Sequence, residues 1–201
     1  MSRAVFLDRD GVINRKAPEG AYITRLEDLH ILPGAAEAIN SLHRAGFTVI
    51  VVTNQRCVAR GLMATSELDL LHQEMCRRLA VLGALIDGIY YCPHDTMPVC
   101  ACRKPAPGML FIAAGEHGID LSKSWMIGDS DSDIEAGRSA GCRTAKLGTA
   151  NSDGSGQAEL YARSLFDAVR QILTRDDYAV EVRSTVNSMI PARHRSKQPG
   201  R

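Results

Sequence analysis

Asp8 and Asp10 stand two residues apart in Phe6-Leu7-Asp8-Arg9-Asp10-Gly11, directly after an apolar run. Two carboxylates at that spacing build a core badly, because burying charge costs free energy. They are well suited to holding a divalent cation and attacking phosphorus, with one carboxylate as nucleophile and the other moving protons. An Asp-x-Asp pair alone is equally the mark of a solvated turn. Three further polar clusters change the balance. Thr53-Asn54-Gln55, Arg103-Lys104-Pro105 and Gly128-Asp129-Ser130-Asp131-Ser132-Asp133 each come after a further apolar segment. Taken singly they read as a turn, a solvated charge and a helix cap. Four such coincidences in one order are harder to explain that way.

A second constellation is Cys92-Pro93-His94 followed by Cys100-Ala101-Cys102. Three thiolates and one imidazole complete a tetrahedral zinc site and leave no position open for chemistry, so a structural role is expected. The loop is too short to form its own core, and metal bonds can supply its folding energy instead. Arg103 and Lys104 follow Cys102 directly, so a zinc knot would aim them. Cys57, Cys76 and Cys142 are expected to be ordinary small or buried residues. The clustering suits metal binding in a reducing compartment better than a disulfide framework.

The elements that must position these groups alternate. Residues 4–7, 47–52, 89–91, 124–127 and 143–148 read as strands. Pro33-Gly34 opens a helix that ends near Gly46. Leu68, Leu71, Met75, Leu79 and Leu82 recur at helical spacing and place a second helix over 66–82. Pro107 suits the first turn of a third helix and Gly118 its end. Residues 131–140 and 158–173 read as a fourth and a fifth. The expected fold is therefore α/β, a Rossmann-like parallel sheet with helices on both faces, joined by right-handed crossovers. Ligands bind beyond the carboxyl ends of such strands, where all four polar clusters would meet. The intervals between Asp10 and Thr53 and between Thr53 and Lys104 are too short to hold a separate cap domain.

The chain has 201 residues and a formal net charge of +1, so no bulk field points to nucleic acid or membrane. Its first residues become charged too early for a secretory leader, and no apolar run approaches the ~18 residues of a membrane span. A cytosolic, monomeric protein acting on a small molecule is expected. Residues 1–174 are expected to form one domain, with a loop at Asn151–Gln157. The basic segment 175–201 loses periodicity and is expected to be a flexible tail rather than a site for an anionic partner.

On the four clusters together, the chain resembles the haloacid dehalogenase superfamily of phosphatases over roughly residues 4–148. The resemblance implies that Asp8 becomes an aspartyl phosphate and that Asp10 serves as acid and then base. It further implies Mg²⁺ on Asp8, Asp129 and the backbone carbonyl of Asp10, with Thr53 and Lys104 stabilising the phosphoryl oxygens. Within the superfamily, the zinc loop, Ala59-Arg60-Gly61 and Cys102-Arg103-Lys104-Pro105 resemble the heptose bisphosphate 7-phosphatases. By that likeness Gly20, Tyr22, Asn54, Gln55, Arg56 and Arg103 help bind substrate, with Arg103 reaching the second phosphate. The related histidinol-phosphate phosphatases, which carry a similar zinc loop, are the alternative. A non-catalytic zinc-stabilised binding protein would be expected to lack the nucleophile or the lysine, and Asp8, Asp10, Lys104 and Asp129 are all present.

Overall fold

The structure is a computed structural model and describes residues 2–97, 99–149 and 157–175. Six strands form one parallel sheet: β1 (Arg3–Leu7), β2 (Phe47–Asn54), β3 (Gly88–Cys92), β4 (Trp125–Gly128), β5 (Arg143–Leu147) and β6 (Leu160–Ala162). Their order is β3-β2-β1-β4-β5-β6. Between them run α1 (Ala35–Arg44), α2 (Thr65–Val81), α3 (Gly108–His117) and α4 (Asp131–Ser139). A last helix, α5, covers 165–175.

The strands read as nearly continuous apolar runs because both faces of the sheet are covered. Alternate residues go to opposite sides. Val5, Leu7, Val49, Val51, Trp125 and Ile127 join a core with Ile39 and Leu42 of α1, Leu68, Leu71 and Met75 of α2, and Ala168 and Ile172 of α5. Ala4, Phe6, Ile50, Val52 and Met126 join a second core with Leu110 and Ala113 of α3 and Ala136 of α4. The period-two alternation of a strand thus feeds two hydrophobic layers at once. Among the described residues no further folded unit rises over the sheet.

Chain order reverses at β1. From it the chain steps outward to β2 and β3, then returns to place β4 on the other side. A crevice opens at such a reversal, beyond the carboxyl ends of the two strands. Asp8 and Asp10 follow β1 and Asp129 follows β4, so this topology brings them together.

One expected element is different. The helix read over 158–173 begins instead as β6, which pairs in parallel with β5 through Ala145–Leu160 and Leu147–Ala162. Only then does α5 start, where Ser164 Oγ accepts from Asp167 N at 3.1 Å and Asp167 Oδ2 accepts from Arg163 N at 3.2 Å. Three residues are too few to show a strand period, and the burial of Leu160 and Ala162 comes from the neighbouring strand rather than from local pattern. The Ser-x-x-Asp start of α5 is a readable signal. The loop expected at Asn151–Gln157 lies, but for Gln157, outside the described residues, as does the segment 176–201.

Candidate active site

A cavity of about 320 Å³ opens at the reversal point and is lined by Asp8, Asp10, Thr53, Asn54, Gln55, Lys104, Asp129 and Asp133. Lys16, Gly20 and Tyr22, from the loop after β1, form its other wall. Its size is at the small end of ligand pockets, which run ~300–1,000 Å³.

Asp8 is the first residue past β1, and its backbone N–H still donates to Ile127 of β4 at 3.0 Å. Its carboxylate is therefore held by the sheet. Lys104 Nζ donates to Asp8 Oδ1 at 2.8 Å and to the Val52 carbonyl at 2.8 Å, and lies 2.5 Å from Asp133 Oδ1. Burial pushes the Asp8 carboxyl up to about 7; Lys104 opposes this, and Asp133 and Asp10 add to it. Burial disfavours the charged Lys104 as well, but Asp8 and Asp133 outweigh it and hold the ammonium above its ordinary value. The cation is thus fixed in place to meet further negative charge.

Asp10 has a different environment. Arg9 donates to it three times, through Nε at 3.3 Å and Nη2 at 3.1 and 2.9 Å. Asn14 Nδ2 adds a bond at 2.9 Å and Gln55 Nε2 another at 3.1 Å. Burial works to raise the Asp10 carboxyl, yet Arg9 and these donors win and hold it below the usual carboxylate range. Two aspartates two residues apart are thereby pushed in opposite directions by their surroundings.

Asp133 reads from sequence only as a helix cap, and the structure gives it two roles. Its Oδ2 accepts from Ser130 N at 3.0 Å and from Ser130 Oγ at 2.6 Å, starting α4. Its Oδ1 holds Lys104. Its side chain lies so close to β4 that a Cβ on Gly128 would fall 2.1 Å from its own Cβ. At Gly11, where φ is +88°, a Cβ would fall 2.4 Å from Asp129 Oδ2. Only glycine permits these two approaches.

Carboxylate oxygens of Asp8, Asp129 and Asp133 come within 4.8 Å of one another. Ammonium groups already sit on them, Lys104 as described and Lys16 on Asp129 Oδ2 at 2.7 Å. Gathered hard oxygen donors that attract cations fit Mg²⁺. Oδ2 of Asp133 is taken by Ser130 and its Oδ1 faces Lys104, so the carboxylate oxygens of Asp8 and Asp129 are the more available to an ion.

Asn54 and Gln55 do more than line the cavity. Asn54 Nδ2 donates to the Lys104 carbonyl and Asn54 Oδ1 accepts from Lys104 N, both at 3.0 Å. This clasp ties the end of β2 to the loop carrying the lysine. Gln55 Nε2 also donates to Thr53 Oγ1 at 2.9 Å. Arg56 and Arg103 are not brought to the cavity wall. Arg56 pairs with Asp95, and Arg103 Nη1 donates to the His94 carbonyl at 3.2 Å. Both guanidiniums brace the Cys/His loop.

In that loop, Cys92, His94, Cys100 and Cys102 converge. His94 Nδ1 lies 3.5 Å from Cys92 Sγ and 3.3 Å from Cys102 Sγ, and the Cys100 sulfur lies 3.6 and 3.5 Å from those of Cys92 and Cys102. These separations are far beyond the ~2.05 Å of a disulfide. They are close to the edge, ~3.8 Å, of a tetrahedron built on ~2.3 Å metal–sulfur bonds. The four side chains can hold a metal ion. Among the described residues no helix is long and apolar enough to cross a membrane.

Comparison with known proteins agrees with this geometry. A family profile described as HAD-hydrolase-like matches residues 101–167. The D-glycero-beta-D-manno-heptose-1,7-bisphosphate 7-phosphatase of Bordetella bronchiseptica is 40% identical over 149 residues, 74% of this chain and 82% of that protein. The D-glycero-alpha-D-manno-heptose-1,7-bisphosphate 7-phosphatase of Mycobacterium tuberculosis is 39% identical over 160 residues, 77% and 84% of the two chains. The crystal structure of D,D-heptose 1,7-bisphosphate phosphatase from B. bronchiseptica, complexed with magnesium and phosphate, superposes with a TM-score of 0.78 at 36% identity. That match covers 86% of this chain and 99% of the other. At these identities and coverages the chain is a phosphoric monoester hydrolase and belongs to the heptose-1,7-bisphosphate 7-phosphatase family of haloacid dehalogenase-like hydrolases.

Proposed function

We propose that this chain removes the 7-phosphate of D-glycero-D-manno-heptose 1,7-bisphosphate, with Asp8 as nucleophile and Asp10 as acid and base. The observation that carries the reading is the Asp8 carboxylate, buried at the cavity floor with Lys104 at 2.8 Å. An Asp8 oxygen forms a bond to phosphorus as the bond from phosphorus to the sugar oxygen breaks. The leaving oxygen takes its proton from Asp10. A water then attacks the aspartyl phosphate while Asp10 takes a proton back; phosphate departs and Asp8 is restored. A phosphate dianion entering the cavity pushes Asp10 upward again, which supplies the proton the first half needs. Lys104 and Thr53 meet the equatorial oxygens, where charge spreads as the group is transferred. Mg²⁺ on Asp8, Asp129 and the Asp10 carbonyl would favour ionised Asp8 and offset its repulsion from the phosphate.

The Cys92, His94, Cys100 and Cys102 cluster reads as a structural zinc site, since a closed thiolate–imidazole set suits that ion. A cysteine cluster that suits metal binding rather than disulfides agrees with a reducing, cytosolic compartment. Gly20, Tyr22, Asn54 and Gln55 would contact the sugar from the cavity wall. Arg56 and Arg103 would reach the second phosphate only by leaving Asp95 and His94. Relatives of similar identity are named for either anomer, so the anomer rests on this chain's own loops. The test is phosphate release with Mg²⁺ from both anomers of the heptose bisphosphate and from histidinol phosphate. The reading expects the highest kcat/KM on one heptose anomer; a preference for histidinol phosphate overturns it.

A further inference from the structure

Arg9 and His72 have no part in that mechanism, and neither lines the cavity. Arg9 is nevertheless only 1% exposed and His72 5% exposed. A buried guanidinium costs free energy unless its donors are met. Nε and Nη2 of Arg9 meet Asp10. The remaining arm, Nη1, lies 3.2 Å from His72 Nε2. A guanidinium has no acceptor, so Nε2 must accept and the ring proton sits on Nδ1.

His72 is the polar exception on the inner face of α2, where Leu68, Leu71, Met75 and Leu79 are also buried. An apolar residue would serve that core better. Its ring packs on Tyr91 of β3, with centroids 5.5 Å apart and planes at 54°. The acceptor is therefore held by packing. Burial, reinforced by the Arg9 charge, holds His72 down to about 3, so the ring stays neutral beside the cation.

We propose that His72 is a positioning residue: by accepting from Arg9 Nη1 it locks the guanidinium that aims the Asp10 carboxyl at the reacting oxygens. Arg9 then grips Asp10 on one side and a fixed ring on the other, and cannot swing about the carboxylate. This inference rests on the reading of Asp10 as acid and base.

The test uses the full chain with its metals. His72→Phe keeps a ring against Tyr91 and deletes the acceptor, while His72→Gln supplies a neutral acceptor. Two substrates are compared by kcat/KM. The heptose bisphosphate loses an alkoxide, which needs a proton as it leaves; p-nitrophenyl phosphate loses a stable phenolate, which needs little help. The phenylalanine variant is expected to lower kcat/KM on the heptose bisphosphate by about tenfold or more, a share of the ~10²–10⁴-fold supplied by general acids. The loss on p-nitrophenyl phosphate is expected to be much smaller, and glutamine to recover most of the activity. Equal losses on both substrates, or no recovery with glutamine, overturn the positioning role. Should His72→Phe not fold, His72→Leu carries the same comparison. Asp10→Asn is measured alongside. If it shows no dependence on the leaving group, the reading of Asp10 falls. If it does and the His72 variants do not, only the positioning role falls.

Discussion

Burial works against Asp8 as a nucleophile, since it favours the protonated carboxyl, and the surrounding cations must restore the charge. Lys104 does part of this and does not depend on Asp8 for its own place, because Asp133 and the Val52 carbonyl also hold it. Asp8→Asn is therefore expected to leave the melting temperature unchanged or raised, as a buried carboxyl becomes a neutral amide. Turnover is expected to fall by at least about 10³-fold, because an amide is a poor nucleophile. A variant near the wild-type rate would refute the assignment. His72 makes a prediction of another kind. Its folded-state value is depressed from 6.5 to about 3. Below about 6.5 the unfolded chain takes up this proton and the folded chain does not, so the group's stabilisation is present above that pH and declines as pH falls toward 3. His72→Gln cannot titrate and should show a shallower fall in melting temperature on acidification from neutral pH. Parallel curves for wild type and variant would remove His72 from the acid response.

The decisive element outside the sheet is the loop from Cys92 to Lys104, which turns the end of β3 into a support for the lysine. Among its described residues few regular backbone hydrogen bonds are made, and an ion held by the four side chains would supply folding energy. About one zinc per chain is expected by elemental analysis. Chelation or Cys102→Ser should lower both melting temperature and turnover, because Lys104 lies two residues beyond Cys102. A zinc-free protein with normal stability and rate would show the four side chains to be incidental. Arg103 tests the same loop from the other side. If it leaves the His94 carbonyl to take the second phosphate, Arg103→Ala should cost roughly 1–3 kcal/mol in kcat/KM on the bisphosphate and little on p-nitrophenyl phosphate. Equal losses on both, with zinc released, would show that its work is to brace the loop.

Across the whole molecule, two hydrophobic layers close on either face of one parallel sheet, and the described part of the layer on the α5 side is complete by Ile172 and Leu173. A chain ending at Arg175 is therefore expected to keep cooperative unfolding and full phosphatase activity; a fall in melting temperature of more than a few degrees would assign residues 176–201 to the folded unit. Most of this architecture was legible. Runs such as Phe47–Val52 are apolar on both faces because helices cover both, and the leucine stripe of α2 keeps its helical spacing for the same reason. The strand Leu160–Ala162 was not legible. It is short, and its burial depends on Leu147 and Ala145 beside it. That Asp8, Thr53, Lys104 and Asp129 line one cavity was legible because each lies at or beyond the carboxyl end of a strand. Asp133, Arg9 and His72 were not, since a helix cap, a turn arginine and a core histidine look alike until their partners are known.

By itself the sequence determined that Asp8, Thr53, Lys104 and Asp129 meet at one sheet edge and that Cys92, His94, Cys100 and Cys102 share one loop. Alternating strands and helices impose the first, and short ligand spacing imposes the second; neither needs a contact between distant segments to be known. Tertiary structure alone decided which charge faces which. It set Lys104 between Asp8 and Asp133, closed Arg9 on Asp10 with His72 behind it, drew Arg56 to Asp95 of the Cys/His loop and turned Arg103 back on the His94 carbonyl. Burial and Coulomb interactions depend on distances across the fold, so the opposite pull on two aspartates in one six-residue stretch could not be read from the stretch itself.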